Sequence, residues 1–180
     1  MSRFIALYRG INVGGRHSVK MDALRALHER LGHTDVRNYV QSGNIVFTAT
    51  GAAPAIAGKL AAEFATAFKF ESRIIVIGAK RWQQIVAANP FAEIAAKAPK
   101  LVHAGLCVGK PEESALRALL TRTGGREEFV IEREIVYLHA PDGFGTSKFA
   151  AGMERAAGVP MTVRNWQTVE ALARLAAHDS

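Results

Sequence analysis

Cysteine occurs once in this chain, at Cys107 inside the apolar run Leu101–Val108. That excludes an internal disulfide framework and suits a reducing compartment. A thiol on a buried strand is a poor nucleophile, so Cys107 reads as core. Long hydrophobic runs are missing as well. The first, Phe4–Tyr8, is too short for a secretory leader. No window approaches the roughly 20 apolar residues that cross a bilayer. The expectation is a cytoplasmic protein without a membrane partner. Strong chemical fingerprints are absent too. RGINVGG does not fit G-x-G-x-x-G, GFGTSK lacks the phosphate-loop spacing, and H-E-x-x-H, G-x-S-x-G and C-x-x-C do not occur. The histidines are scattered, and His103 and His139, both on predicted strands, have no carboxylate ligands beside them. No metal and no cofactor are expected.

Acidic residues are missing from one place in particular: residues 1–20 contain no Asp or Glu. Within that stretch, Arg9–Lys20 (RGINVGGRHSVK) combines three glycines, several cations, an amide and a hydroxyl between a predicted strand and a predicted helix. Such a loop is where backbone N–H groups and cations meet an anion. The whole chain carries a net charge of +7 and a pI near 9.9, which favours polyanionic or phosphate-bearing partners. With 180 residues, 49% apolar and 22% charged, it has enough material for one domain or two small ones with a real core.

The pattern of elements reads twice. The first half is strand Arg3–Tyr8, helix Met21–Leu31, strands Val36–Val40 and Asn44–Thr48, helix Pro54–Phe68, strand Arg73–Ile77 and helix Arg81–Ala88. The second is strand Leu101–Val108, helix Glu112–Thr123, hairpin Glu127–Glu132 with Glu134–His139, helix Ser147–Ala157, strand Thr162–Val163 and helix Trp166–Ala177. Leu24-Arg25-Ala26-Leu27 matches Leu116-Arg117-Ala118-Leu119, Lys59-Leu60 matches Lys148-Phe149, and Trp82-Gln83 matches Trp166-Gln167, all in the same order. The expected fold is α+β: a tandem duplication of two ferredoxin-like βαββαβ halves, each with a trailing helix. The halves are placed at residues 1–90 and 101–180, with a joint at 91–100.

In that topology the loop after the first strand meets the hairpin between the second and third. A first site therefore gathers Arg9, Asn12, Gly14, Gly15, Arg16, Ser42 and Asn44 around Gln41. A second site lies in the other half, where Gly145, Ser147 and Lys148 precede a helix and Arg164 and Asn165 leave the last strand. Ser147 and Asn165 suit N-caps, whose helices present free N–H groups. The same residues also suit plain structural roles: Gly14-Gly15 and Gly145 as turns, Asn12 and Asn44 as partners of backbone groups. The favoured reading is an anionic, phosphate-bearing small ligand. Alternatives are a nucleic-acid backbone binder, an enzyme on a phosphorylated or nucleotide substrate with His17 or Ser147 as its reactive group, and an interaction scaffold. The segment matching strand three of an RNA-recognition module, Ser42–Phe47, lacks that module's stacking aromatics at its start. Oligomeric state is not legible.

The segments RGINVGG (Arg9–Gly15), VKMDALR (Val19–Arg25), QSGN (Gln41–Asn44), SK (Ser147-Lys148) and RNWQT (Arg164–Thr168) together resemble the bacterial domain of unknown function 1697 family. The resemblance covers nearly the whole chain. It implies a tandem pair of ferredoxin-like halves and no established activity, so no catalytic residue carries over. Arg9, Asn12, Gly14, Gly15, Gln41, Ser42, Gly43, Asn44, Lys148, Arg164, Asn165 and Trp166 match its pattern.

Overall fold

A computed structural model describes residues 1–14 and 17–177. They divide into two compact units, Met1–Val86 joined by the chain from Glu170 onward, and Ala87–Val169.

The first unit holds β1 (Ser2–Tyr8), α1 (Met21–Arg30), β2 (Thr34–Tyr39), β3 (Asn44–Ala49), α2 (Ala53–Phe68), β4 (Ile74–Gly78) and α3 (Ala79–Ala87). Its sheet runs β2-β3-β1-β4, with every neighbouring pair antiparallel. Phe4, Ala6 and Tyr8 alternate onto one face with Ile45, Phe47 and Val76. There they meet Leu24 and Leu27 of α1 and Ile56, Leu60 and Phe64 of α2 in one core. Ile5, Leu7 and Val46, on the opposite face, are buried as well. Burial on both faces is why β1 reads as an unbroken apolar run.

The second unit contains α4 (Ala92–Lys97), β5 (Val102–Cys107), α5 (Glu113–Thr123), β6 (Glu128–Glu132), β7 (Ile135–His139), a single 3-10 turn at Phe144–Thr146, α6 (Lys148–Ala157) and β8 (Met161–Asn165). β8 runs directly into α7 (Trp166–Ala177). The sheet order is β6-β7-β5-β8, again antiparallel throughout. Phe129, Val136 and Leu138 pack with Leu116, Phe149 and Met153. From Glu170, α7 belongs with the first unit, where Ala173 O accepts from Gln83 Nε2 at 3.2 Å and Leu175 O from Arg3 Nη2 at 3.2 Å.

Among the described residues this is a mixed α+β protein with two four-stranded antiparallel sheets and seven α-helices, and no helix is long and apolar enough to cross a membrane. Element ends fall within a residue or two of the sequence reading. The expected joint at 91–100 contains the short helix α4 and lies in the second unit. The two halves match in their stops. Gly32 (φ 79) follows α1 and Gly124 (φ 62) follows α5, while Lys69 (φ 63) and Gly158 (φ 68) end α2 and α6. Counted back from those ends, Lys59-Leu60 and Lys148-Phe149 coincide, and Leu60 and Phe149 are both fully buried. The tryptophans do not coincide: Trp82 stands in the fourth position of α3, whereas Trp166 opens α7, nearly one helical turn out of step.

Candidate functional sites

The loop after β1 is pinned at both ends by apolar side chains, Ile11 and Val19, sunk into the core. Asn12 ties it together. Its Oδ1 accepts from Val19 N at 2.7 Å, and its Nδ2 donates to Val19 O at 2.9 Å and to Gln41 O at 2.7 Å. The last of these bonds joins the loop to the β2–β3 hairpin, as does Tyr8 N donating to Gly43 O at 2.8 Å. Asn44, fully buried at the start of β3, donates to Tyr39 O at 3.2 Å and to Ser42 Oγ at 2.8 Å. Loop and hairpin are thus adjacent, with the amides of Asn12 and Asn44 turned inward as braces. Asn12→Ala is expected to cost about 1–3 kcal/mol, because it strands Val19 N–H and two carbonyls, and chemical denaturation will measure the loss.

Four described residues of this loop take left-handed conformations: Gly10 (φ 73), Asn12 (φ 56) and Gly14 (φ 61) at every second position, and His17 (φ 53) beyond them. Within this run the Asn12 N–H donates to His17 O at 3.1 Å, closing the loop on itself. Arg9, Gly14 and Lys20 are exposed. Arg9 is bound through its backbone to Arg73 O and Ser72 Oγ, so Arg73 lies beside the loop; Glu71, two residues earlier in sequence, is exposed. His17 stacks flat on Phe70, centroids 4.4 Å apart. Gly15 and Arg16 lie outside the described residues.

In the second unit Ser147 caps α6, its Oγ accepting from Ala150 N at 2.9 Å and donating to the Glu127 carboxylate. Ser147 and Lys148 line a cavity of about 210 Å³ together with Thr123, Glu127, Asp142 and Thr146. Arg126 pairs with Asp142 at its edge. This cavity therefore has mixed charge. Gly145 is exposed in the 3-10 turn. Arg164 and Asn165 stand apart from the cavity lining. Arg164 donates to Val163 O at 2.9 Å, and burial lowers its guanidinium to about 10. Asn165 caps α7, accepting from Thr168 N at 2.9 Å. His103 links the two places: it pairs with Asn165 across the sheet and stacks on Phe144 at 4.4 Å. Burial lowers its imidazole to about 4.

A corresponding cavity, also about 210 Å³, lies in the first unit between the α1–β2 and β3–α2 connections, and nothing in the sequence reading pointed to it. His33, Thr50, Gly51, Ala55 and Lys59 line it. Behind it runs a buried chain of polar groups. Tyr8 OH meets His28 Nε2 at 2.9 Å, and His28 Nδ1 meets His33 Nδ1 at 3.0 Å. His28 is fully buried; burial, then the neighbouring His33, lowers it to about 3. Burial and the Lys59 charge lower His33. Desolvation raises Tyr8 far above the usual phenol range. The available signal was His28 itself, a polar residue one turn after Leu24 on the apolar stripe of α1.

Compared with known proteins, residues 1–137 match the family described as "Protein of unknown function (DUF1697)". The chain belongs to this family. The matched stretch of the DUF1697 chain includes the first loop, its hairpin and the His33 cavity, whereas Ser147, Lys148, Arg164 and Asn165 lie beyond it. In fold it is similar to the conserved bacterial protein SP0830 from Streptococcus pneumoniae, with a TM-score of 0.72 at 20% identity over 97% of this chain and 98% of that one. No curated protein matches it.

The thiol of the DUF1697 chain is held protonated: burial, with Glu134 and Glu154 nearby, raises Cys107 to about 11. Among the described residues no cluster of three or more His, Cys, Asp or Glu is arranged to hold a metal ion. What the geometry does offer is a braced, cation-rimmed backbone loop and two equivalent cavities of different electrostatic character.

Proposed function

We propose that this DUF1697 protein binds an anionic, phosphate-bearing ligand, principally on the Arg9–Lys20 loop. The observation that carries the reading is the run of left-handed residues at Gly10, Asn12 and Gly14, in a segment devoid of carboxylates. A loop already braced by Asn12 loses little entropy on meeting an oxyanion, and Arg9 and Lys20 supply charge. Ser42 borders the loop, and Gly15 and Arg16 complete it in sequence. Lys148, with Gly145 and Ser147, offers a second, weaker point of attachment, since Glu127 and Asp142 offset its charge. Arg164 and Asn165 support that end by fixing β8 and α7.

Pyrophosphate and ATP are the probes. Each is expected to raise the thermal midpoint in a saturable way. Arg9→Ala removes charge-assisted bonds of about 1.5–3 kcal/mol, so it weakens binding by about 10- to 100-fold, with Lys148→Ala having the smaller effect. A midpoint indifferent to both probes refutes the proposal.

The net charge of +7 favours a second reading, a grip on nucleic-acid backbone. Its signature is affinity for a mixed oligonucleotide that falls steeply with salt; salt-independent affinity rejects it. We also infer that each half is ferredoxin-like. The identical strand orders β2-β3-β1-β4 and β6-β7-β5-β8 support this, as do the two helices that each half packs on one sheet face.

A further inference from the structure

We propose that the cavity between the α1–β2 and β3–α2 connections is a separate site for a small oxyanion, held by the Lys59 ammonium and the His33 imidazole. It has its own residues and stands whether or not the Arg9 loop binds phosphate.

The equivalent cavity of the second unit sets the comparison. Lys59 and Lys148 occupy matching helix positions, and each lines a cavity of about 210 Å³. Around Lys148 stand Asp142 and Glu127. Around Lys59, among the described lining residues, there is no carboxylate; the polar groups are the Lys59 ammonium, the His33 ring and the Thr50 hydroxyl. The position matching His33, one residue past the left-handed glycine, is Gly125, and a Cβ there would lie 1.7 Å from Glu127 Oε2. So where one half places an imidazole, the other places a carboxylate, and the described lining is free of carboxylates only in the first unit.

The His33 ring is also held in a fixed orientation. Its Nδ1 faces His28 Nδ1 at 3.0 Å, so one of these two nitrogens carries the hydrogen and the other accepts it. His28 is fixed in turn by the Tyr8 hydroxyl at 2.9 Å. With Nδ1 turned inward, Nε2 is the nitrogen available to the cavity. The ring is kept neutral near pH 7 by burial and by Lys59. An oxyanion seated between them offsets the Lys59 charge, and His33 then takes a proton from solvent. Burial and Lys59 on α2 set its titration; the other titratable groups nearby are His28 on α1, Tyr8 behind it on β1 and, at the start of β2, Asp35, already engaged by Arg3 and Arg37, and Met1 stands on the rim. The volume is that of roughly seven waters, enough for a carboxylate or a tetrahedral oxyanion with a few waters retained.

The test is nitrogen-detected histidine NMR on the full chain, titrated with sulfate, which does not itself titrate near neutrality, and separately with acetate. Saturable shifts of the His33 ring nitrogens are expected with at least one anion, and the responding anion tells a tetrahedral from a planar ligand. The His33 midpoint is expected to rise by about one pH unit, with about tenfold tighter binding at pH below the free midpoint than at pH above the bound one. Lys59→Gln abolishes the response, Lys59→Arg restores it, and Lys148→Gln leaves it intact. Arg9→Ala, which removes the pyrophosphate effect on thermal stability, also leaves it intact, so the two proposals fail separately. Lys59 is exposed, and amide spectra confirm that its variants fold. Silence of His33 toward both anions, or an undiminished response in Lys59→Gln, overturns the proposal.

Discussion

Replacing His28 with leucine is expected to cost about 2–5 kcal/mol at pH 7.5, and the deficit should shrink as the pH is lowered. At neutral pH the wild-type ring satisfies two partners, Tyr8 OH at 2.9 Å and His33 Nδ1 at 3.0 Å. Leucine fills similar volume but leaves the Tyr8 hydroxyl, at 1% exposure, without this partner in a region of low polarity. Each bond lost by a buried group costs about 1–3 kcal/mol. The pH dependence follows from the depressed basicity of His28. In the unfolded chain its imidazole takes a proton near 6.5, whereas in the folded protein it resists until about 3. The full stabilising effect is present above the unfolded value. It is lost as the pH falls from about 6.5 toward about 3, because only the unfolded state gains the proton across that window; the loss at the low end is on the order of 5 kcal/mol. The leucine variant has no such proton to gain, so its stability curve is flatter. His103, lowered to about 4, titrates in the same window in both proteins and leaves a residual slope. Urea unfolding followed by circular dichroism at pH 7.5 and 4.5 measures the difference, and parallel curves for the two proteins contradict the account.

This histidine also shows where sequence reading stops. Strand and helix order was legible because the apolar periods are strong: β1 is apolar throughout, Leu24 and Leu27 have counterparts in Leu116 and Leu119, and left-handed glycines stop α1 and α5. The adjacency of the Arg9 loop and the Gln41–Asn44 hairpin followed from topology alone. The roles within it did not. Whether an asparagine in a glycine loop faces a ligand or the backbone depends on which carbonyls lie within reach, and Asn12 reaches Val19 and Gln41. The His33 cavity was hidden for a similar reason. His28 and His33 lie five residues apart, across the end of α1, a spacing with no recognised motif. Their contact requires the turn after Gly32 to bring His33 back over the helix. Lys59 was visible as one half of a repeat but carried no sign of what surrounds it. The helix α4 was missed because six Ala-rich residues between Pro90 and Pro99 are too few for a period to register.

Gly43→Ala is expected to be the most damaging single-methyl change in the first unit, at about 2–5 kcal/mol. Two effects add. The backbone at Gly43 has φ 71, a conformation that costs an L-residue roughly 1–2 kcal/mol. The new methyl also has no room, since a Cβ would lie 2.7 Å from both Tyr8 Cβ and Ile11 Cδ1. Ile11 can turn aside at some cost. Tyr8 Cβ cannot, because β1 is locked between β3 and β4 and Tyr8 N donates to Gly43 O itself. Relief therefore requires the hairpin to move away from β1, adding about 1–3 kcal/mol of overpacking and pulling Gln41 O from Asn12. Gly10→Ala separates the two effects. Gly10 has nearly the same φ, 73, with nothing within 4 Å of its would-be Cβ, so it carries the backbone term alone. Denaturant unfolding should place Gly43→Ala clearly below Gly10→Ala, and amide exchange should show Tyr8 N–H losing protection only in the former. Equal stabilities for the two variants would remove the steric argument. Because the methyl acts by parting loop from hairpin, pyrophosphate binding at the Arg9 loop should weaken in Gly43→Ala even under conditions where the variant is fully folded.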